Sequence, residues 1–311
     1  MALLLQYTLI FASVLLLVAL GGCFAERSGI VNIGLEGIMV IGALGGALAM
    51  KFIPVSVGGP VMILATILAS ALSGMIYSLF LAIPAINFNA DQTITGTAMN
   101  ILATAAATVA VKAMNTASSG GSNVSSEISY IQQKDFFIVR MGQFEFNWFM
   151  VVAVVALIVG YILLYKTRFG LRMRACGEHP QAADSVGINV YKMRYAGTLI
   201  SGLLGGIVFI TAGVSVWKFE YGVSGFGFLA LAVMIFGAWH PVKIALAALL
   251  FGFFRALGNV YSGFDFMKAL NLPSYVYNML PYIVSLIVLA LTSKKSRAPK
   301  AEGIPYDKGQ R

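Results

Sequence analysis

Charge is scarce in this chain. Only 11% of its 311 residues are Asp, Glu, Lys or Arg and 59% are hydrophobic, whereas soluble domains carry roughly 25% charged residues. That balance excludes an ordinary water-soluble fold. Two cysteines, Cys23 and Cys176, are too few for a disulfide framework, and both are expected on the cytoplasmic side, where thiols stay reduced. Two histidines, His179 and His240, offer little for a metal centre. There is no G-x-x-x-x-G-K-[ST] phosphate loop, no H-E-x-x-H and no C-x-x-C. Nothing therefore points to ATP hydrolysis by that route or to a zinc hydrolase. No nucleophile–base pair assembles either, which argues against a membrane enzyme and leaves no cofactor to be held by this chain. The net charge of +9 raises nucleic acid as a partner. The cations, however, are scattered over loops between apolar runs, the pattern that orients a membrane protein rather than one that tracks a phosphate backbone.

What is abundant is apolar sequence. At about 20 residues per helical crossing, the chain predicts an all-α, polytopic membrane protein with about 8–10 transmembrane helices, some broken or re-entrant. The expected spans are 2–22, 30–50, 60–83, 92–112, 147–165, 194–215, 225–238, 242–260 and 274–292. Residues 1–292 read as one membrane domain, and 293–311, rich in Lys, Pro and Gly, as a flexible tail. LVALGGC, ending at Cys23, has the look of a lipoprotein cleavage box, but no cation precedes it; an uncleaved first span is expected. Placing the tail and loop 166–194 inside puts fourteen cations on the cytoplasmic side and six outside, as expected for a cytoplasmic C-terminus. The longest external segment is then 113–146. Asn123 matches a glycosylation sequon, a pattern common by chance.

Polar residues within apolar spans are costly and mark pathways or internal partners. Glu36 lies between Gly34 and Gly37, with Asn32 four residues earlier on the same helical face. Either it pairs with Arg27 or Arg255, or it lines a pathway at a broken helix. Asp91 is expected to cap the fourth span, whereas Asn100, about two turns deeper than Thr93, is placed to hydrogen-bond a polar solute. Gly222-Val223-Ser224-Gly225-Phe226-Gly227-Phe228 opens the seventh span as a tight turn, where Phe226 and Phe228 either pack or stack on a flat solute. Asn32, Glu36, Asn100 and Phe226 are the candidate pathway-lining residues. His240-Pro241 reads as a turn.

Loop 166–194 carries Lys166, Arg168, Arg172, Arg174, Lys192 and Arg194. They suit the cytoplasmic side, and Arg172, Arg174, Lys192 and Arg194, which flank the central stretch, suit lipid phosphates. Between them His179-Pro180-Gln181-Ala182-Ala183-Asp184-Ser185-Val186-Gly187 predicts a short helix, with proline in its first turn and glycine just past its end. Ala182, Ala183, Val186 and Ile188 would give it a small apolar surface suited to a shallow groove.

Four segments carry a family resemblance: ERSGIVNIGLEGIMVIGA (26–43), ADQTITGTAMNILA (90–103), RACGEHPQAADSVGINVYKMR (174–194) and GFGFLALAVMIFGAWHP (225–241). In this order they resemble the permeases of the branched-chain amino acid/ribose class of bacterial ABC importers, nearest to the nucleoside-type branch, whose tails also resemble SRAPKAEGIPYDKG (296–309). The resemblance implies a multi-pass permease in a bacterial plasma membrane. It implies a second, non-identical permease, cytoplasmic ATPase subunits that hold ATP and Mg, and an external substrate-binding lipoprotein. It also makes the helix within loop 166–194 a coupling helix for the ATPase, comprising Glu178, His179, Pro180, Gln181, Ala182, Ala183, Asp184, Val186 and Gly187. The family's E-A-A spacing before glycine is kept, but Gln181 replaces the acid, leaving Glu178 or Asp184 to supply charge. Nucleosides lead as substrate, with riboflavin or a simple sugar as alternatives. From other classes, an ion-coupled secondary transporter using Glu36 and a membrane scaffold or receptor remain.

Overall fold

The computed structural model describes residues 2–122, 124–142, 144–207, 218–220, 222–265, 270, 272–292 and 298–309. Its helices are α1 (Ala2–Arg27), α2 (Leu35–Phe52), α3 (Gly59–Asn87), α4 (Gln92–Ser118), α5 (Trp148–Lys166), α6 (Arg168–Glu178), α7 (Pro180–Ser185), α8 (Val190–Gly206), α9 (Phe226–Phe236), α10 (Pro241–Val260), α11 (Ser274–Asn278) and α12 (Leu280–Thr292). Six of them, α1 to α5 and α10, are long and apolar enough to cross a membrane. Two of the remaining expected spans are short or interrupted. Helix α9 has 11 residues, about half a crossing at 1.5 Å per residue, and 274–292 divides at Met279. The expected span 194–215 is helical to Gly206, and its end lies outside the described residues, as do Asn123, Lys268, Lys294, Lys295, Arg297 and Arg311.

Helix α1 is the axis. It is apolar all round and buried from Ile10 to Glu26, the signature of a helix enclosed by others. Around it pack α5, α8, α9 and α10. On the other side α3 and α8 meet along a ladder of small residues. A Cβ on Gly206 would lie 2.3 Å from the Ser70 carbonyl oxygen, and one on Gly202 would lie 2.5 Å from Ser78 Oγ and 2.6 Å from the Gly74 oxygen. Ser70, Gly74 and Ser78 recur every four residues, hence on one face, and such small-residue seams hold membrane helices by backbone proximity.

At one end, segment 113–146 is held by its own hydrogen bonds and short strands. Buried Asn115 donates to the carbonyls of Ser125 and Glu127, both at 2.9 Å. Strands β1 (Ile128–Ser129) and β4 (Lys218–Phe219) pair, and β2 (Ile138–Met141) with β3 (Phe144–Asn147) makes a hairpin. At the other end lie α6, α7 and the tail. Residues 298–306, expected from composition to be flexible, carry buried Ala301 and Tyr306. Tyr306 packs with Cys176, Ala183 and Val190 in a small core of their own.

Candidate functional site

The first site is a junction of broken helices. Residues 28–34 interrupt the chain between α1 and α2, with Gly29 at φ +99°. Opposite, Ser224 and Gly225 both adopt left-handed backbone, φ 55° and 78°, and α9 starts at Phe226. Glu36 joins the two: Gly225 N–H donates to its Oε1 at 2.8 Å and Gly227 N–H to its Oε2 at 2.6 Å. A carboxylate there satisfies otherwise orphaned donors and complements the positive end of the helix dipole. The close approach demands glycine, because a Cβ on Gly227 would lie 2.4 Å from the backbone nitrogen of Glu36.

Asn100 of α4 serves the same junction. Its Oδ1 accepts from Gly37 N–H at 2.7 Å and its Nδ2 donates to the Ile33 carbonyl at 3.0 Å. Phe226 lies between Phe11, 5.7 Å away, and the Arg255 guanidinium, 5.2 Å from its ring. Glu36, Asn100 and Phe226 thus converge on one junction, whereas fully buried Asn32 turns the other way, donating to Ser201 Oγ at 2.8 Å. Among the described residues neither Arg27 nor Arg255 forms an ion pair with Glu36. Its partners are backbone amides. Arg255 was visible in sequence only as a charge within a span, and its ring contact needed the fold. The cap at Asp91 is as expected, with Ile94 N–H donating at 2.9 Å. Thr93 and Thr97 are exposed beside Asn100, as is Phe228 beyond Phe226.

The second site is at the tail end of the bundle. Thr167 caps α6 by accepting from Gly170 N–H at 3.2 Å. His179 precedes Pro180 at the first turn of α7. The helix closes with Gly187 at φ +83°, where Gly187 N–H donates to Asp184 and Ile188 N–H to Ala183, a glycine-terminated end. Pro180 and Ala183 are buried, whereas Gln181, Ala182, Ser185 and Val186 face outward, Val186 at 74% exposure. This corrects the expected apolar surface: Ala183 and Ile188 pack inward, so Ala182 and Val186 alone remain of the four. Glu178 is turned to its own chain, 3.7 Å from Arg27, which leaves Asp184 as the acid near the outward face.

Arg194 is a second correction. It is 1% exposed, so it meets no lipid phosphate; it donates to the Ile304 carbonyl at 3.0 Å and lies 5.9 Å from the Tyr306 ring. The tail is fastened further by Ala301 N–H to the Gly177 carbonyl at 2.8 Å and Gly303 N–H to the Gly29 carbonyl at 3.2 Å. Burial raises the Glu302 carboxyl above its ordinary range, opposed by a hydrogen bond with Glu26 and the charge of Arg27. Trp239 Nε1 also donates to Glu26, and Arg27 donates twice to the Trp239 carbonyl, at 3.2 and 3.1 Å. The ends of α1 and α6, the α9–α10 turn and the tail are thereby tied together. Burial pushes the nearby Cys176 thiol up to about 11; both cysteines are free and buried. Among the described residues no group of His, Cys, Asp and Glu is arranged to hold a metal.

Residues 4–290 match the family described as branched-chain amino acid transport system / permease component. The guanosine ABC transporter permease protein NupQ of Bacillus subtilis is 40% identical over 314 residues, covering 98% of this chain and 96% of that protein. The nucleoside ABC transporter permease protein NupC of Lactococcus lactis is 38% identical over 97% of this chain and 96% of its own length. NupB of the same organism, also a nucleoside ABC transporter permease protein, is 23% identical over 93% of this chain and 83% of its length. An all-α architecture with six span-length helices among the described residues, together with a family match across nearly its whole length, makes this chain a member of the branched-chain amino acid transport system permease family.

Proposed function

We propose that this chain is the permease subunit of an ATP-driven importer of nucleosides, guanosine foremost. The observation that carries the reading is the near full-length similarity, at 38–40% identity, to permeases named for guanosine and nucleosides. Two permeases of unequal similarity in Lactococcus lactis, NupC and NupB, support a second, non-identical permease as partner. ATP and Mg belong on cytoplasmic ATPase subunits, an external binding lipoprotein delivers the solute, and the tail faces the cytoplasm.

Within that assembly α7 is the element that takes force from the ATPase. Its outward face of Gln181, Ala182, Ser185 and Val186 is exposed among the described residues, and its inward face packs on Val190 and Tyr306. Movement applied there passes through Gly177 and Gly29 to the start of α2 and the Glu36 junction. A permease fed by a binding protein needs only weak contacts along its route. The partly exposed Asn100 and the exposed Thr93, Thr97 and Phe228 offer hydrogen bonds and a ring face. Glu36 organises that route by fixing α9 and does not itself have to meet solute.

The test is uptake of radiolabelled guanosine by cells lacking this chain. Loss of uptake, restored by the wild-type gene and not by a chain without residues 181–186, is the expected result. Unchanged guanosine uptake with lost riboflavin or sugar uptake would overturn the substrate, and uptake surviving removal of the ATPase would overturn the mechanism.

A further inference from the structure

The tail is built into the cytoplasmic face by more than its own sequence requires. A buried arginine, Arg194, gives its guanidinium to the Ile304 carbonyl. Two backbone bonds fix Ala301 and Gly303 to Gly177 and Gly29. Tyr306 is buried 5.5 Å from the Tyr191 ring. Those anchors carry the next residues across the mouth of α7. Gln181, Ala182, Asp184 and Ser185 form one wall of a cleft of about 490 Å³, and Tyr306, Asp307 and Lys308 form the other.

Building on the reading of α7 as the ATPase contact, we propose that this contact is two-walled: Tyr306, Asp307 and Lys308 form its second wall, and a segment of the ATPase subunit bearing a basic side chain seats between Asp184 and Asp307. The cleft is continuous with the outward face of α7, so a partner seated on Gln181 and Ala182 is already at its rim. Its charge is the reverse of its surroundings. Loop 166–194 is dominated by cations, yet the cleft presents two carboxylates against the single ammonium of Lys308. Neither carboxylate is paired with a cation among the described residues. Among the described residues Asp307 accepts from Gly309 N–H alone, at 2.8 Å, a local bond that leaves acceptor capacity on the carboxylate. The volume accommodates one or two long side chains rather than a helix, so the occupant is a side-chain-bearing loop or helix end. Such charge matching fixes register between partners, which a six-residue helix with a small outward face would otherwise do poorly.

The test uses the assembled importer in native membranes, with a photoreactive phenylalanine analogue at Lys308 in one variant and at Val186 in another. Neither substitution touches the anchors at 301–304. Adducts with the ATPase subunit from both positions are expected. An adduct from position 186 alone would overturn the second wall and leave α7 as the docking element. Absence of ATPase adducts from both would sink the docking reading along with it. As an independent measurement, Asp307→Lys is expected to lower ATPase co-purification and uptake severalfold, with unchanged permease abundance and a smaller effect of Asp307→Asn. Wild-type behaviour of Asp307→Lys would overturn the proposal.

Discussion

Glu36 and Gly227 lie 189 and two residues, respectively, from Gly225, yet one carboxylate holds both glycine amides, at 2.8 Å for Gly225 and 2.6 Å for Gly227. The half-helix α9 is therefore capped by a residue belonging to α2. Glu36→Gln keeps the shape but removes the charge and one acceptor. Hydrogen bonds to charged groups are worth about 1.5–3 kcal/mol, so a loss of about that size is expected. Thermal unfolding of the purified chain in detergent would show a lowered Tm for Glu36→Gln and a larger drop for Glu36→Ala. An unchanged Tm in both would mean that the cap contributes nothing.

Glycine is required at one end of this turn and not at the other. A Cβ at Gly227 would meet backbone atoms of Glu36, 2.4 and 2.6 Å away, whereas one at Gly222 would meet nothing within 4 Å. Gly227→Ala is expected to abolish folded protein in membranes, because neither backbone can yield. Gly222→Ala is expected to behave as wild type. Size-exclusion profiles of the two variants read the difference directly.

The end of α7 depends on Gly187 at φ +83°. An L-residue in left-handed backbone costs about 1–2 kcal/mol, with asparagine the best tolerated. Gly187→Ala should fray α7 and reduce uptake at normal membrane abundance, and Gly187→Asn should recover part of it. Equal uptake by all three chains would show that α7 transmits nothing.

The docked tail should loosen as pH rises. Burial raises the folded-state pKa of Glu302 above the ordinary value of about 4.3. The folded tail therefore favours the protonated acid, and its stabilisation is complete below that ordinary value. It is lost as pH climbs through the raised one. Hydrogen-exchange protection of the Ala301 and Gly303 amides, corrected for intrinsic rates, is expected to fall with increasing pH. Glu302→Gln, which cannot ionise, should flatten that dependence; an identical slope in the variant would refute the assignment.

Helix punctuation was the most legible part of the sequence. Asp91 caps α4, Pro180 and Gly187 bound α7, and glycines beside Glu36 signal a broken helix, because each acts within four or five residues. The identity of Glu36's partners was not legible. Arg27 and Arg255 were the charges to expect, and backbone amides from a distant turn took their place, a choice that only tertiary packing makes. Arg194 misled for a related reason: among five other loop cations its composition suggests lipid, whereas its environment is the tail. Ser70, Gly74 and Ser78 carry a readable four-residue spacing, but Gly202 and Gly206, which they meet, identify themselves only once α8 is laid against α3.

That seam between α3 and α8 also bears on how the protein feels its membrane. Where a Cβ would already strike the opposing backbone, there is no volume for an acyl chain or a water molecule. The contact is consequently indifferent to lipid tail length and saturation. Helix α5 is the opposite case, turning Val154, Val155, Ile158 and Ile162 outward. Changes in bilayer thickness therefore act on such outward faces, that of α3 with Leu64, Leu68 and Ile76 included, rather than on the seam itself.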